Sequence, residues 1–202
     1  MAIRQIAKMG HPVLRRFADP IGDPSASEIK RLAADMQGTL EWIGASGIAA
    51  PQVYESVRLI VYRIGSDRIP PGSDLQVVDW TVLVNPSLEF VGDEMVSVWE
   101  RCLSLPGLHG KVPRHRNIRM AYRTLDGERR VFEAHDWHAT LLQHEYDHLD
   151  GILYPMRMTD LCLLGFNAEP GALAEEVNTD PNVDPLLVKM VEAWPDRDKW
   201  LA

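Results

Sequence analysis

Cysteine is scarce in this sequence. Cys102 and Cys162 are its two thiols in 202 residues, too few for a disulfide framework. The opening stretch MAIRQIAKMGHPVL lacks the long apolar run and small-residue cleavage site of a secretory leader. No segment approaches the roughly 20 apolar residues needed to span a bilayer. These absences predict a cytoplasmic, reducing setting and no membrane partner. A lone Cys there is buried, reactive or a metal ligand rather than bridged. An excess of basic charge is missing too. The net charge is -8, which argues against DNA or general RNA binding through a broad basic face. Arg114, His115 and Arg116 make a local basic spot that reads as solvated charge. Internal repeats and low-complexity segments are also absent.

What is present suits one substantial core, at 46% hydrophobic and 25% charged residues. GHPVLRR predicts a short helix entered through Pro12. Ser25 or Ser27 is placed to cap a helix running to about residue 43, with Ile29, Leu32, Ala33, Met36 and Leu40 at helical spacing. Strands are predicted over 58–64, 76–85, parts of 94–99, 118–123 and 129–134. The turn Leu125-Asp126-Gly127 joins the last two as a hairpin. Asp136 is placed to cap a helix through about residue 149, stopped by Gly151. Turns rather than helices join the strands. The expected fold is therefore α+β: antiparallel β-sheets packed around a central helix, with N-terminal helices and a C-terminal extension. Residues 1–167 form the expected catalytic domain. In the extension, 168–202, residues 168–184 read as a mobile linker and 185–194 as a short amphipathic helix.

The central helix carries LLQHEYDHLDG, residues 141–151, and within it the pattern HExxH. His144 and His148 are four apart, so both imidazoles fall on one helix face and can chelate one ion. Glu145 can then take a proton from a water activated there. The pattern also arises by chance on surface helices. A third ligand must come from elsewhere. The extended pattern HExxHxxGxxH fails because its last position is Tyr154. Glu169, 21 residues after His148, would complete a thermolysin-like protease site, but it lies among turn formers in FNAEPGA. Cys102, in ERCLSLPG, would complete a Cys-His-His site with a fourth position open. It could equally be a small buried hydrophobe. Cys162, in the apolar run LCLLGF, reads as that bland case.

Three segments carry a resemblance: GIAAPQ at 47–52, ERCLS at 100–104 and QHEYDHLDG at 143–151. In order and separation they resemble the three signature motifs of peptide deformylases. HPVLR at 11–15 is similar too, and the likeness covers roughly residues 3–165. Two positions depart from the family pattern. Ala45 stands where a glycine is usual, and so does Arg101, which puts a long cation beside Cys102.

The resemblance implies removal of the N-formyl group from the formyl-methionine of newly made chains, releasing formate. It implies one ion per chain held by Cys102, His144 and His148, with Fe(II) native and Zn, Ni or Co able to substitute. Glu145 would be the general base. The Gln52 amide and the Leu103 N–H would face the developing oxyanion. Gly47, Ile48, Trp137 and Leu141 would bind the peptide, which would lie as a strand beside Gly47 and Ile48 and the segment after Leu105. Glu100, Gln143 and Asp147 are placed to support the histidines, and Arg114 is either a partner of Glu100 or a surface charge. Two other readings stand beside this one: an HExxH protease using Glu169, and a silent binder of formyl peptides. Any ribosome contact would come from a local patch or the C-terminal helix.

Overall fold

The structure, a computed structural model, describes residues 2–169, 171–180 and 183–193. A 3-10 turn over Pro12–Arg15 comes first, capped by His11, whose Nδ1 accepts from the Val13 N–H at 3.2 Å. Helix α1, Ser27–Ile43, follows. Neither serine caps it: Ala26 occupies the cap position, and the Ser25 hydroxyl donates to Asp23 instead. The helix stops at Gly44, whose φ of 75° only glycine adopts cheaply.

Strands β1 (Gly47–Ala49), β2 (Leu59–Ile64), β3 (Val78–Phe90), β4 (Met95–Cys102), β5 (Leu105–His115), β6 (Asn117–Arg123) and β7 (Arg129–His135) come next. Helix α2, Asp136–Leu149, then crosses the middle of the molecule. Strand β8 (Leu164–Phe166) and helices α3 (Ala172–Val177) and α4 (Pro185–Glu192) close the described chain. The strands form two antiparallel sheets, β1-β2-β3-β6-β7 and β4-β5-β8. Among the described residues, no helix is long and apolar enough to cross a membrane.

Strand β2, LIVYRI, is apolar almost throughout because both of its faces are covered. Ile60 and Tyr62 pack with Ala139, Leu142 and Leu149 of α2. Leu59 and Val61 pack with Leu32, Met36 and Leu40 of α1. Alternation along the strand thus feeds two cores, one on each side of the larger sheet. The predicted hairpin forms as β6 and β7, in register from Arg123↔Arg129 to Asn117↔His135.

Several expectations change. The strand expected to end at residue 85 runs on to Phe90. A bulge between Val84 and Ser87 marks where β3 leaves β2 and takes up β6. Asn85 sits there at φ 49°, held by reciprocal hydrogen bonds between its amide and the backbone of Ile21 at 2.8 and 2.7 Å. Strand β5 was not predicted. Its sequence, LPGLHGKVPRH, carries two prolines and two glycines, which read as loop. β8 covers only Leu108–Gly110, so Pro106 and Pro113 lie where that side of β5 needs no ladder donor. Asp136 does not cap α2. His135 holds the cap position, and Asp136 opens the helix at φ 50°. Within the stretch expected to be linker, α3 forms. Leu173, Ala174, Val183, Leu187 and Val191 make a small core there with Trp99 of β4. Asp184 caps α4 by accepting from the Leu186 N–H at 2.9 Å. Trp194, expected in that helix, lies outside the described residues.

Candidate active site

Helix α2 places His144 and His148 on its buried face, one turn apart, and both are under 9% exposed. Strand β4 ends at Cys102 directly opposite. The ligand atoms of Cys102, His144 and His148 all lie within 4.8 Å of one another. Cys102 Sγ and His148 Nε2 are 3.3 Å apart. Donors bonded to one ion at about 2.3 Å for sulfur and 2.0 Å for nitrogen span an edge of that order. Among the described residues this is the one His/Cys/Asp/Glu cluster that converges in this way. Glu169 is exposed and outside it. Cys162, expected to be buried, is exposed.

The supporting groups now have assignments. The Glu100 carboxylate accepts from His144 Nδ1 at 2.6 Å. That fixes the tautomer and leaves Nε2 free to bind an ion. Burial works against charge on Glu100, but Arg114 and His144 outweigh it and hold its pKa down at about 2. Arg114 is not part of a solvated basic spot. It is 3% exposed and donates to both Glu100 oxygens at 2.7 and 3.0 Å and to Asp147 at 2.6 Å. Asp147 also accepts from Arg157 at 2.8 Å. Gln143 serves the helix entry instead, exchanging hydrogen bonds with the backbone of His115 at 3.0 and 2.7 Å. For Cys102, burial opposes ionisation. The charge on His148 and hydrogen bonds from both histidines overcome it and hold the thiol well below its usual range. The site therefore favours a thiolate, the form that binds metal.

Glu145 stands apart. It is 3% exposed, and its Oε2 has no hydrogen-bond partner among the described residues. Burial pushes its pKa up to about 7, against the pull of His144 and His148. A carboxyl poised there can take up and return a proton near neutral pH. Gly47 leaves the room: a Cβ on that residue would sit 2.5 Å from Glu145 Oε1. Gln52 is oriented by its own loop. Its Oε1 accepts from the Ala49 N–H at 2.9 Å, which turns Nε2 toward Cys102 Sγ, 3.5 Å away.

These groups open onto a cleft of about 950 Å³. Gly47, Gln52, Cys102, Leu103, Trp137, Leu141, His144 and Glu145 all line it. Ile48 does not. Its side chain is fully buried against α1, because alternation in β1 turns it away from the cleft, so only its backbone can serve a peptide. Sequence reasoning missed four contributors. Ser104 donates its N–H to Cys102 Sγ at 3.4 Å and accepts from Gln52 at 3.4 Å. Arg68, Asp184 and Leu187 reach the cleft from distant segments that carry no local signal. The ERCLS motif contained Ser104, and only its neighbours drew attention.

The comparisons agree with this geometry. A family model described as Polypeptide deformylase matches residues 3–163. "Peptide deformylase 1" of Bordetella pertussis is 41% identical over 183 residues, covering 90% of this chain and 99% of that protein. "Peptide deformylase 1" of Xanthomonas campestris is 41% identical over 165 residues, 81% of this chain and 95% of that one. A crystal structure of the class I type b peptide deformylase from Acinetobacter baumannii bound to Met-Ala-Ser is 33% identical. It has a TM-score of 0.71 and covers 77% of this chain and 98% of that one. The matched segment holds all three signature motifs and both sheets' cleft strands, and metal-dependent deformylation is the activity of that family. A cysteine and two histidines converging beside a buried glutamate, inside a fold and sequence shared this extensively, mean that this chain belongs to the peptide deformylase family.

Proposed function

We propose that the chain hydrolyses the formyl amide at the N-terminus of formyl-methionyl peptides, with Glu145 as the proton carrier. The observation that carries this assignment is the carboxyl itself. It is buried, unpartnered at Oε2 among the described residues, and poised near neutral pH next to the Cys-His-His cluster. Cys102, His144 Nε2 and His148 Nε2 would hold one divalent ion, with Glu100 and Arg114 keeping His144 oriented. When bound, that ion supplies Lewis-acid polarisation and a lowered pKa for water. We take it to be Fe(II), replaceable by Zn, Ni or Co. The donor set accepts all four, and supply and redox state choose among them.

Glu145 takes the proton of the attacking water and returns it to the leaving amine as the C–N bond breaks. Gln52 Nε2 and the Leu103 N–H donate to the carbonyl oxygen as negative charge develops on it. Gln52 needs little reorganisation, because Ala49 already holds its amide. The peptide lies between two sheet edges. Among the described residues, β1 and β4 are both terminal strands in their sheets, so each has a free side for an added strand. Trp137 and Leu141 line the methionine pocket. Nascent chains in the cytoplasm are the proposed source of such peptides.

Formate release from formyl-Met-Ala-Ser tests this, using protein purified without oxygen and loaded with Fe(II). Release is expected. Its absence with one ion bound per chain overturns the assignment and leaves a silent binder. Ion content of two variants tests the ligand set: C102A should lose the ion and E169A should keep it. The reverse result would restore the thermolysin-like site.

A further inference from the structure

Strand β4 alternates, as strands must. Glu100 and Cys102 turn toward α2, so Trp99 and Arg101 turn the other way. That outer face is covered by the C-terminal helices, which lie beyond the segment matched by the family. Trp99 packs into their small core. Arg101 reaches along α4, and its Nη1 lies 3.6 Å from Met190 Sδ. Arg101 is also one of the residues that line the cleft.

Arg68 joins it there. Arg68 lies over the Trp137 ring, 5.3 Å from the centroid, and donates to Asp184 from both Nε, at 3.1 Å, and Nη2. The wall thus combines two guanidiniums with one carboxylate; Asp184 hydrogen-bonds Arg68, and its charge also acts on Arg101. Arg101 has five N–H donors and, among the described residues, a thioether as its one hydrogen-bond contact. A half-buried guanidinium with such weak satisfaction has strong affinity for a planar anion, and carboxylate fits its fork. The chain as a whole carries -8, so this cationic wall runs against its overall charge.

We propose that Arg101, backed by Arg68 of the turn after β2 and its partner Asp184 at the start of α4, is a carboxylate subsite that favours substrates with an acidic side chain just after the formyl-methionine. The inference rests on the deformylase reading. An extended peptide advances about 3.3 Å per residue, and Arg101 adjoins the ligand Cys102. The wall therefore runs beside the second and third residues of the substrate.

The test compares kcat/KM for formyl-Met-Glu-Ser, formyl-Met-Gln-Ser and formyl-Met-Lys-Ser, and for the same changes at the third residue. It uses the Fe(II)-loaded full chain. At one of the two positions Glu should exceed Gln by roughly three- to tenfold, as for a partly desolvated ion pair, and Lys should fall below Gln. The Glu preference should shrink in 1 M salt. It should vanish in R101M and persist in part in R101K. If R101M fails to fold, D184N decides. Asn still caps α4 but frees Arg68, so the Glu preference should rise. Equal rates for Glu and Gln at both positions in the unaltered chain would overturn the subsite while leaving the reaction standing. So would a preference unchanged in R101M. No turnover of any peptide would overturn the reaction and the subsite with it.

Discussion

Replacing Gly47 with Ala puts one methyl group where the structure has no space. The new Cβ would lie 2.5 Å from Glu145 Oε1 and 2.9 Å from both Cγ and Cδ. Ordinary contact begins near 3.4 Å, so the carboxylate must move by roughly 0.5–1 Å. Backbone movement is resisted, because β1 is tied to β2 at Gly47↔Tyr62 and α2 is packed on the sheet. The displacement therefore falls on Glu145. A misplacement of about 1 Å in a reacting group costs on the order of 100-fold in rate. Cys102, His144 and His148 are untouched by the new methyl, so the ion should still bind. The assay is formate release from formyl-Met-Ala-Ser by the G47A protein, with its ion content measured on the same sample. The expected result is a fall in kcat of about 100-fold with ion content unchanged. A G47A enzyme within threefold of the parent would refute the idea that this glycine exists to seat Glu145. Loss of the ion along with activity would refute the claim that the damage is confined to the base.

Arg114→Met should destabilise the fold strongly, since it leaves the buried Glu100 and Asp147 short of their shared cation. His144 and Arg157 remain as partners, so the lower end of the range for a broken buried pair applies, about 3 kcal/mol. A melting temperature within about 2 °C of the parent would refute this, as some 2–4 °C per kcal/mol is expected at this size. Stability should also fall in mild acid through His138, whose ring lies 3.2 Å from the Tyr62 hydroxyl. Burial, with His135 adding to it, pushes this imidazole down to about 4. The unfolded chain titrates near pH 6.5 and so binds a proton that the folded chain refuses between those values. Stability should be full above about pH 6.5, decline on acidification and level off below about pH 4, with a loss of about 2 kcal/mol after allowing for partial exposure. H138F should flatten that part of the curve measured by urea unfolding; identical slopes for the two proteins would count against it.

Much of the molecule follows from local pattern. The apolar spacing in α1 and α2 places each helix on a core, and the Asp126-Gly127 turn forces the β6–β7 hairpin. HExxH on a helix puts two imidazoles on one face whatever surrounds it. Cysteine chemistry made Cys102 a candidate third ligand; resemblance chose it over a buried hydrophobe and added Gln52 and Leu103, which spacing alone could not join to the histidines, since 42 residues separate Cys102 from His144. Tertiary structure decided the rest. For Arg114 the sequence left a Glu100 partner and a surface charge both open, because it shows the neighbours His115 and Arg116 and not that Glu100 and Asp147 enclose it. Strand β5 was hidden because its prolines and glycines suit a partly open ladder rather than an alternating one. Ile48 and Gly47 look equally available in sequence, yet one side chain feeds the α1 core and the other position admits Glu145. The wall of Arg68, Arg101 and Asp184 draws on segments more than 100 residues apart. No local rule brings them together; the packing of the C-terminal helices on the outer face of β4 does.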